Sequence, residues 1–234
     1  MFSFLALSLA AAAQTVPAQT TQLPPPPPAV PAPVTAPVEA DTRPYVELVT
    51  DAGKIVIRIE NRRAPITAAN FLRYVDSKRM ATVFKFYRTT RSWGEGNALV
   101  QGGNRGDARL NYPPIAHEPT TVTGLTHCKG AVAMARLAPG DATSDFFILL
   151  SDIPGFDADP SASGDNAGFA VFGELVSGLD VAEKIYAAPV SPAKGEGVMI
   201  GQMLEPEFKI LSARRIAAPA DAPQGCVVKA APRP

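Results

Sequence analysis

Proline decides where this chain can fold. Of the 24 prolines in 234 residues, most lie before residue 45 or after residue 216, and proline cannot donate to a helix or sheet ladder. From Gln14 to Pro44 the sequence is dominated by Pro, Ala, Thr and Val and includes the run Pro24 to Pro28. Such a stretch favours extended polyproline II, buries no core and makes residues 14–44 a disordered, semi-rigid linker. Composition returns to Ala and Pro after Ile216, which predicts a disordered tail over residues 217–234. Residues 45–216 are left to build the folded domain.

Ahead of the linker, Met1 to Ala13 is almost wholly apolar and ends in four alanines. It is far shorter than the roughly 20 residues that span a bilayer. A short apolar run followed by small residues matches a cleaved secretory signal over residues 1–13, although no Lys or Arg precedes it. The expectation is export without stable membrane insertion. The absence of a cysteine just after the run argues against a lipid anchor. Lys and Arg together number 22, as do Asp and Glu, so nothing favours nucleic acid as a partner. His117 and His127 are the only histidines and no Cys-x-x-Cys occurs, so no metal or other cofactor is expected. Cys128 and Cys226 could pair in an oxidising compartment and pin the tail to the body. The plainer reading is two unrelated thiols.

Within the central region, Val46 and Leu48, then Ile55, Ile57 and Ile59, alternate with polar residues on either side of Asp51-Ala52-Gly53. That pattern predicts a β-hairpin. Pro65 suits a first helical turn, and Phe71, Leu72 and Val75 follow on one helical face. Strands are predicted at 82–87, 99–101, 131–135, 146–150, 169–172 and 208–216, with a second helix at 179–185. Many short strands with two isolated helices predict a mainly β chain, a closed or nearly closed antiparallel barrel. There is no Gly-x-Ser-x-Gly elbow, no phosphate-cradling Gly-x-x-x-x-Gly-Lys and no His-Glu-x-x-His.

A set of segments stands out by its order. Phe86-Tyr87-Arg88 comes first, then Gln101-Gly102-Gly103, Gly130 to Met134-Ala135-Arg136, Ser144-Asp145-Phe146-Phe147-Ile148, Val171-Phe172-Gly173 and Gly178-Leu179-Asp180-Val181. In this order they resemble the Phe-His-Arg, Gln-Gly-Gly, Met-Ala, Ser-Gln-Phe-Phe-Ile, Val-Phe-Gly and Gly-Met-Asp-Val segments of the cyclophilin-type peptidyl-prolyl cis–trans isomerases. Asn70-Phe71 also fits. The resemblance covers about Tyr45 to Ile216. It implies an eight-stranded barrel capped by two α-helices, with a groove on its outer face for proline-containing segments of folding proteins.

The resemblance further implies that Arg88 and Gln101 are catalytic, with Arg88 aimed at the nitrogen of the twisted amide and Gln101 positioning the peptide carbonyl. Phe86, Leu99, Ala135, Arg136, Phe147, Phe156 and Phe169 would bind substrate. Phe147 would floor the proline pocket while Phe146 points into the core, because adjacent strand residues face opposite sides. Ala135 and Arg136 would offer backbone groups. A bacterial exported member would act in the periplasm, as a monomer. Departures are concentrated in the apolar wall: Ala98 where Phe is usual, Phe156 in the region of a usual tryptophan, Phe169 for His. Trp93 could fill the space that Ala98 opens. Asp145 stands where Gln is common. These changes leave a second reading open, a weakly catalytic chaperone module that binds proline segments on the same fold.

Overall fold

The computed structural model describes residues 42–90, 96–105 and 107–228. Strands β1 (Tyr45–Thr50) and β2 (Gly53–Ile59) form the expected hairpin. Its turn is set by the Thr50 hydroxyl, which accepts from the N–H groups of Ala52 and Gly53 at 3.1 Å each, and by Gly53 at φ +145°. Helix α1 (Pro65–Asp76) starts with Pro at N1 but has no side-chain cap of its own. Glu118 supplies one from a distant loop, accepting from Ile66 N–H at 3.1 Å and Thr67 N–H at 2.7 Å. This places an anion at the positive end of the helix.

After one helical turn, α2 (Met80–Val83), come β3 (Lys85–Thr90) and β4 (Leu99–Gly103). A second short turn, α3 (Thr120–Thr123), precedes β5 (Ala131–Met134) and β6 (Phe146–Leu149). The chain ends with β7 (Val171–Ser177), α4 (Leu179–Ala187), β8 (Val190–Ser191) and β9 (Met203–Ile216). The strand order is β1-β2-β7-β5-β6-β4-β3-β9, and β1 pairs with β9 to close the ring. All pairs are antiparallel, so the result is the expected closed eight-stranded barrel, with the two-residue β8 added outside β9. Phe71 of α1 plugs one end, 5.4 Å from Phe146 and 4.8 Å from Phe172 between ring centroids. Pro206, which has no N–H to give, sits where β9 bulges away from β3, between the pairs Phe86–Phe208 and Arg88–Met203.

Several boundaries differ from expectation. The strand expected from 82 starts at Lys85, because 80–83 close a helical turn instead. Phe169 lies just ahead of β7, and the last strand begins at Met203 rather than 208. The larger correction concerns the tail. The predicted disorder does not extend over residues 217–228, which run along the barrel wall. Thr126 N–H donates to Val227 O at 2.9 Å, Leu125 bridges Val228, and Val227 is fully buried. Cys128 and Cys226 are not separate thiols; they form a disulfide with Cα atoms 6.1 Å apart. The tail covers Arg58 and Glu174, a buried ion pair on neighbouring strands β2 and β7. Arg58 also donates to Pro223 O at 2.9 Å.

Candidate active site

One groove, of about 790 Å³, runs over the outer face of β3, β4 and β6. Its polar side begins with a bulge in β3. Phe86 pairs with Gly102 and Arg88 with Gln101, so Tyr87 is the extra residue. Strict alternation would send Arg88 to the same side as Phe86. The bulge turns both Tyr87 and Arg88 outward to line the groove. Phe86 itself points inward, fully buried and 5.8 Å from the Phe146 ring. It is core and not part of the groove, which corrects its expected role in substrate binding. Gly102 packs tightly against it: a Cβ there would lie 3.0 Å from the Phe86 ring, which would have to give way.

Arg88 is held by two neutral amides. Its Nη1 donates to Gln101 Oε1 at 2.7 Å, while Nε and Nη2 donate to Gln202 Oε1 at 2.9 and 2.8 Å. Three of five guanidinium donors are thus used. Burial pulls its pKa below the usual arginine value, but a guanidinium stays charged at neutral pH. Gln202 is in turn fixed by donating to Val198 O at 2.7 Å. On the other side, Gln101 Nε2 donates to the Tyr87 hydroxyl at 2.7 Å, and that hydroxyl donates to Asp145 Oδ2 at 3.1 Å.

The apolar side is a cluster of rings. Phe147, Phe156 and Phe169 meet pairwise with centroids 4.9 to 5.8 Å apart, and His127 stacks beneath Phe147 at 6.3 Å. Phe147 faces the groove and Phe146 the core, as strand alternation requires. Leu99 and Met203 complete the wall.

A family model for cyclophilin type peptidyl-prolyl cis-trans isomerase/CLD matches residues 45–213. The chain belongs to this family. The cyclophilin is 36% identical over 150 residues to the peptidyl-prolyl cis-trans isomerase of Acinetobacter baylyi, covering 62% of this chain and 73% of that protein. It is 33% identical over 154 residues to the isomerase cyp18 of Streptomyces antibioticus, covering 64% and 87%. The crystal structure of a Cryptosporidium parvum cyclophilin in the presence of the dipeptide ala-pro superposes with a TM-score of 0.56 at 18% identity, covering 74% of this chain and 99% of that one. That likeness supports the fold.

As a cyclophilin, the protein is a peptidyl-prolyl cis–trans isomerase. The groove brings together Arg88, Gln101, Leu99, Ala135, Arg136, Phe147, Phe156 and Phe169, and of the expected site residues leaves out only Phe86. Ala135 cannot offer its N–H, which donates to Asp145 O at 2.8 Å. The Arg136 side chain folds back, donating to Gly168 O at 3.0 Å and to both Asp165 oxygens at 2.6 and 2.9 Å. Its guanidinium carbon lies 5.1 Å from the Phe169 ring centroid, so it braces that wall of the pocket. Trp93 lies outside the described residues. Gln202, Met203 and the partnership of Tyr87 with Asp145 were not foreseen. Gln202 and Met203 follow an irregular segment a hundred residues from the motifs they complete. Among the described residues, no group of three or more His, Cys, Asp or Glu could hold a metal, and no helix is long and apolar enough to cross a membrane.

Proposed function

We propose that this cyclophilin accelerates rotation about Xaa-Pro bonds in exported proteins as they fold, acting in the periplasm as a monomer, with Arg88 as its catalytic residue. The barrier to be lowered is roughly 18–20 kcal/mol, because the amide must lose its resonance as it twists. No bond breaks, so neither nucleophile nor metal is needed. The twisted amide nitrogen becomes pyramidal and basic. A cation with fixed donors beside it stabilises that state more than the planar ground state, which is what lowers a barrier.

The observation that carries this reading is the position of Arg88. It is braced from two sides by Gln101 and Gln202 and shares one groove with the pocket of Phe147, Phe156 and Phe169. A proline ring seated on Phe147 would be fixed by the apolar wall while the preceding carbonyl swings. Export is supported by the apolar run at residues 1–13 and by the Cys128–Cys226 disulfide, since such bonds persist in oxidising compartments. Among the described residues, barrel closure leaves only the two-residue β8 beside the ring, which favours a monomer.

A protease-coupled assay on a proline peptide tests the mechanism. Wild type should accelerate isomerisation and Arg88→Ala should not. Absence of acceleration by wild type above the uncatalysed rate sinks the enzymatic mechanism. In that event the reading favoured by the small side chain at Ala98 remains: a chaperone that holds proline segments and turns them over weakly. It would suppress aggregation of an unfolded exported protein at equal strength with or without Arg88.

A further inference from the structure

A line of four polar groups runs from Arg88 through Gln101 and Tyr87 to Asp145, its direction fixed from both ends. Arg88 has donors only, so the Gln101 oxygen must face it and the Gln101 amide nitrogen must face away. That nitrogen meets the Tyr87 hydroxyl at 2.7 Å. The hydroxyl therefore accepts from Gln101 and has its own proton to give to Asp145, 3.1 Å away. An ionised carboxylate has acceptors only, so Asp145 imposes the same direction from the far end. The two ends agree.

The carboxylate is built into place. Its other oxygen receives the Arg105 N–H at 3.2 Å and lies 3.2 Å from the Ser144 hydroxyl. Gly103 passes so close that a Cβ there would sit 1.9 Å from Asp145 Oδ1. The last glycine of the Gln101-Gly102-Gly103 motif thus makes room for Asp145. Its φ of +143° is a second reason for glycine at that position.

We propose that Tyr87 and Asp145 are positioning residues: the Asp145 carboxylate, through the Tyr87 hydroxyl, holds the Gln101 side chain in the one orientation that presents its oxygen to Arg88. Without that anchor the Gln101 amide is held from the Arg88 end alone, and rotated or turned-over forms, whose N–H groups oppose the guanidinium, become accessible. The inference rests on the catalytic reading of Arg88 given above. It goes beyond it by assigning work to two side chains that need not touch the reacting bond. Protonation of Asp145 would reverse the anchor, because a carboxylic acid donates where a carboxylate accepts. Burial pushes this carboxyl above its ordinary range, and hydrogen bonds from Tyr87, Ser144 and the backbone of Arg105 and Asn104 only partly offset that. Facing it are Tyr87 from β3, the Ser144 hydroxyl and the backbone of Asn104 and Arg105; the Arg105 guanidinium is turned to Glu207 at 2.9 Å, and Arg88 is reached only through Gln101 and Tyr87. Asp141, Arg136 and Glu196 line the same groove. The sign follows: the competent form is the ionised one, so activity is present above the raised pKa and is lost as pH falls through it.

The experiment compares wild type, Tyr87→Phe, Asp145→Asn, the double variant and Arg88→Ala, each confirmed as folded by circular dichroism. Exchange rates on a proline peptide and the Gln101 side-chain amide signals in 15N spectra are followed between pH 4 and pH 8. Tyr87→Phe should lower kcat about tenfold with KM within about twofold, and the double variant should be no worse than the poorer single, as for members of one network. In Tyr87→Phe the Gln101 amide protons should shift to solvent-exposed positions. Asp145→Asn should lower kcat too, since an NH2 donor replaces one of the two oxygens that receive Tyr87 and Arg105, and it should lose the acid limb of the pH profile, because an amide does not titrate. Retention of kcat within about twofold in both folded singles, or losses that multiply in the double, overturns the proposal. If wild type and Arg88→Ala both match the uncatalysed rate, it is the catalytic reading of Arg88 that fails. The Gln101 amide signals then still decide the positioning claim, which is lost if Tyr87→Phe leaves them unmoved.

Discussion

Two arginines leave the barrel wall on outward-facing strand positions, and they are treated in opposite ways. Arg58 of β2 lies between the buried Ile57 and Ile59, pairs with the Glu174 carboxylate and is roofed by residues 223–227 of the tail. Arg88 of β3 is held by the neutral side chains of Gln101 and Gln202 and faces an open groove. A carboxylate neutralises the first charge and saturates it. The glutamines fix the second in direction but leave its charge and two of its donors for a substrate. The difference teaches that the partner of a buried cation, and not its burial, separates a structural group from one able to do chemistry.

The largest expected effect comes from breaking the structural pair. Glu174→Ala strands Arg58 under the tail and should cost about 3–5 kcal/mol of stability, measured by urea denaturation. Activity per folded molecule should stay at the wild-type value, because no atom of the pair lines the groove. Loss of turnover in the folded fraction would erase the distinction between the two sites. Arg88→Ala is the mirror image. It should lower kcat/KM by roughly 10²–10³, as removal of a single transition-state donor does elsewhere, with the denaturation midpoint little changed. A large loss of stability there would instead mark Arg88 as structural.

Removing the strap over Arg58 ranks next. Cys226→Ser opens a disulfide that closes a loop with a sequence separation of 98 and should cost about 2–4 kcal/mol. Backbone exchange should rise in the tail and around Glu174 while Xaa-Pro turnover in the cold is unchanged. Gly225 shows how closely the strap fits, since a Cβ there would lie 1.5 Å from a Glu174 oxygen. Gly225→Ala should therefore displace the strap even with the disulfide intact.

How much of this was legible follows the same division. The alternation of β1 and β2, the two main helices and the ordered motifs lead from sequence to a closed barrel with Arg88, Gln101 and the three phenylalanines on one face. Those features are local, or tied to one another by motif order. The motif Phe86-Tyr87-Arg88 implies a site role for all three residues, yet Phe86 is core; the alternation that sends Phe146 inward and Phe147 outward sends Phe86 inward too. The bulge at Tyr87 hides that pattern, and the two glycines opposite are its only trace in sequence. Ala and Pro dominate the tail and point to disorder, while three residues, Cys226-Val227-Val228, anchor it. Gln202 left no signal at all: it follows the irregular, glycine-punctuated segment 195–201, and only the fold brings it to β3.

Gln202 also gives the sharpest, if smallest, test of the comparison. Gln202→Glu keeps the shape of the brace and both contacts from Arg88, but replaces a neutral acceptor with an anion, so Arg88 becomes held as Arg58 is. If neutralisation is what separates the two arginines, kcat should fall about tenfold, or 1.4 kcal/mol of transition-state stabilisation, with KM little changed. The contact with Val198 O, which Gln202 makes as a donor at 2.7 Å, would be lost too. Gln202→Leu controls for this, since it removes brace and contact together without adding charge. The decisive signature is the pH dependence of the variant-to-wild-type ratio. Pairing with a guanidinium depresses a carboxyl below its unperturbed value of about 4.3, so the penalty should be constant at neutral pH. As pH falls through that depressed value the new carboxyl protonates, becomes a neutral acceptor like the amide it replaced, and the ratio should climb back toward one. A ratio that stays flat into acid would mean that shape, and not charge, distinguishes the two arginines.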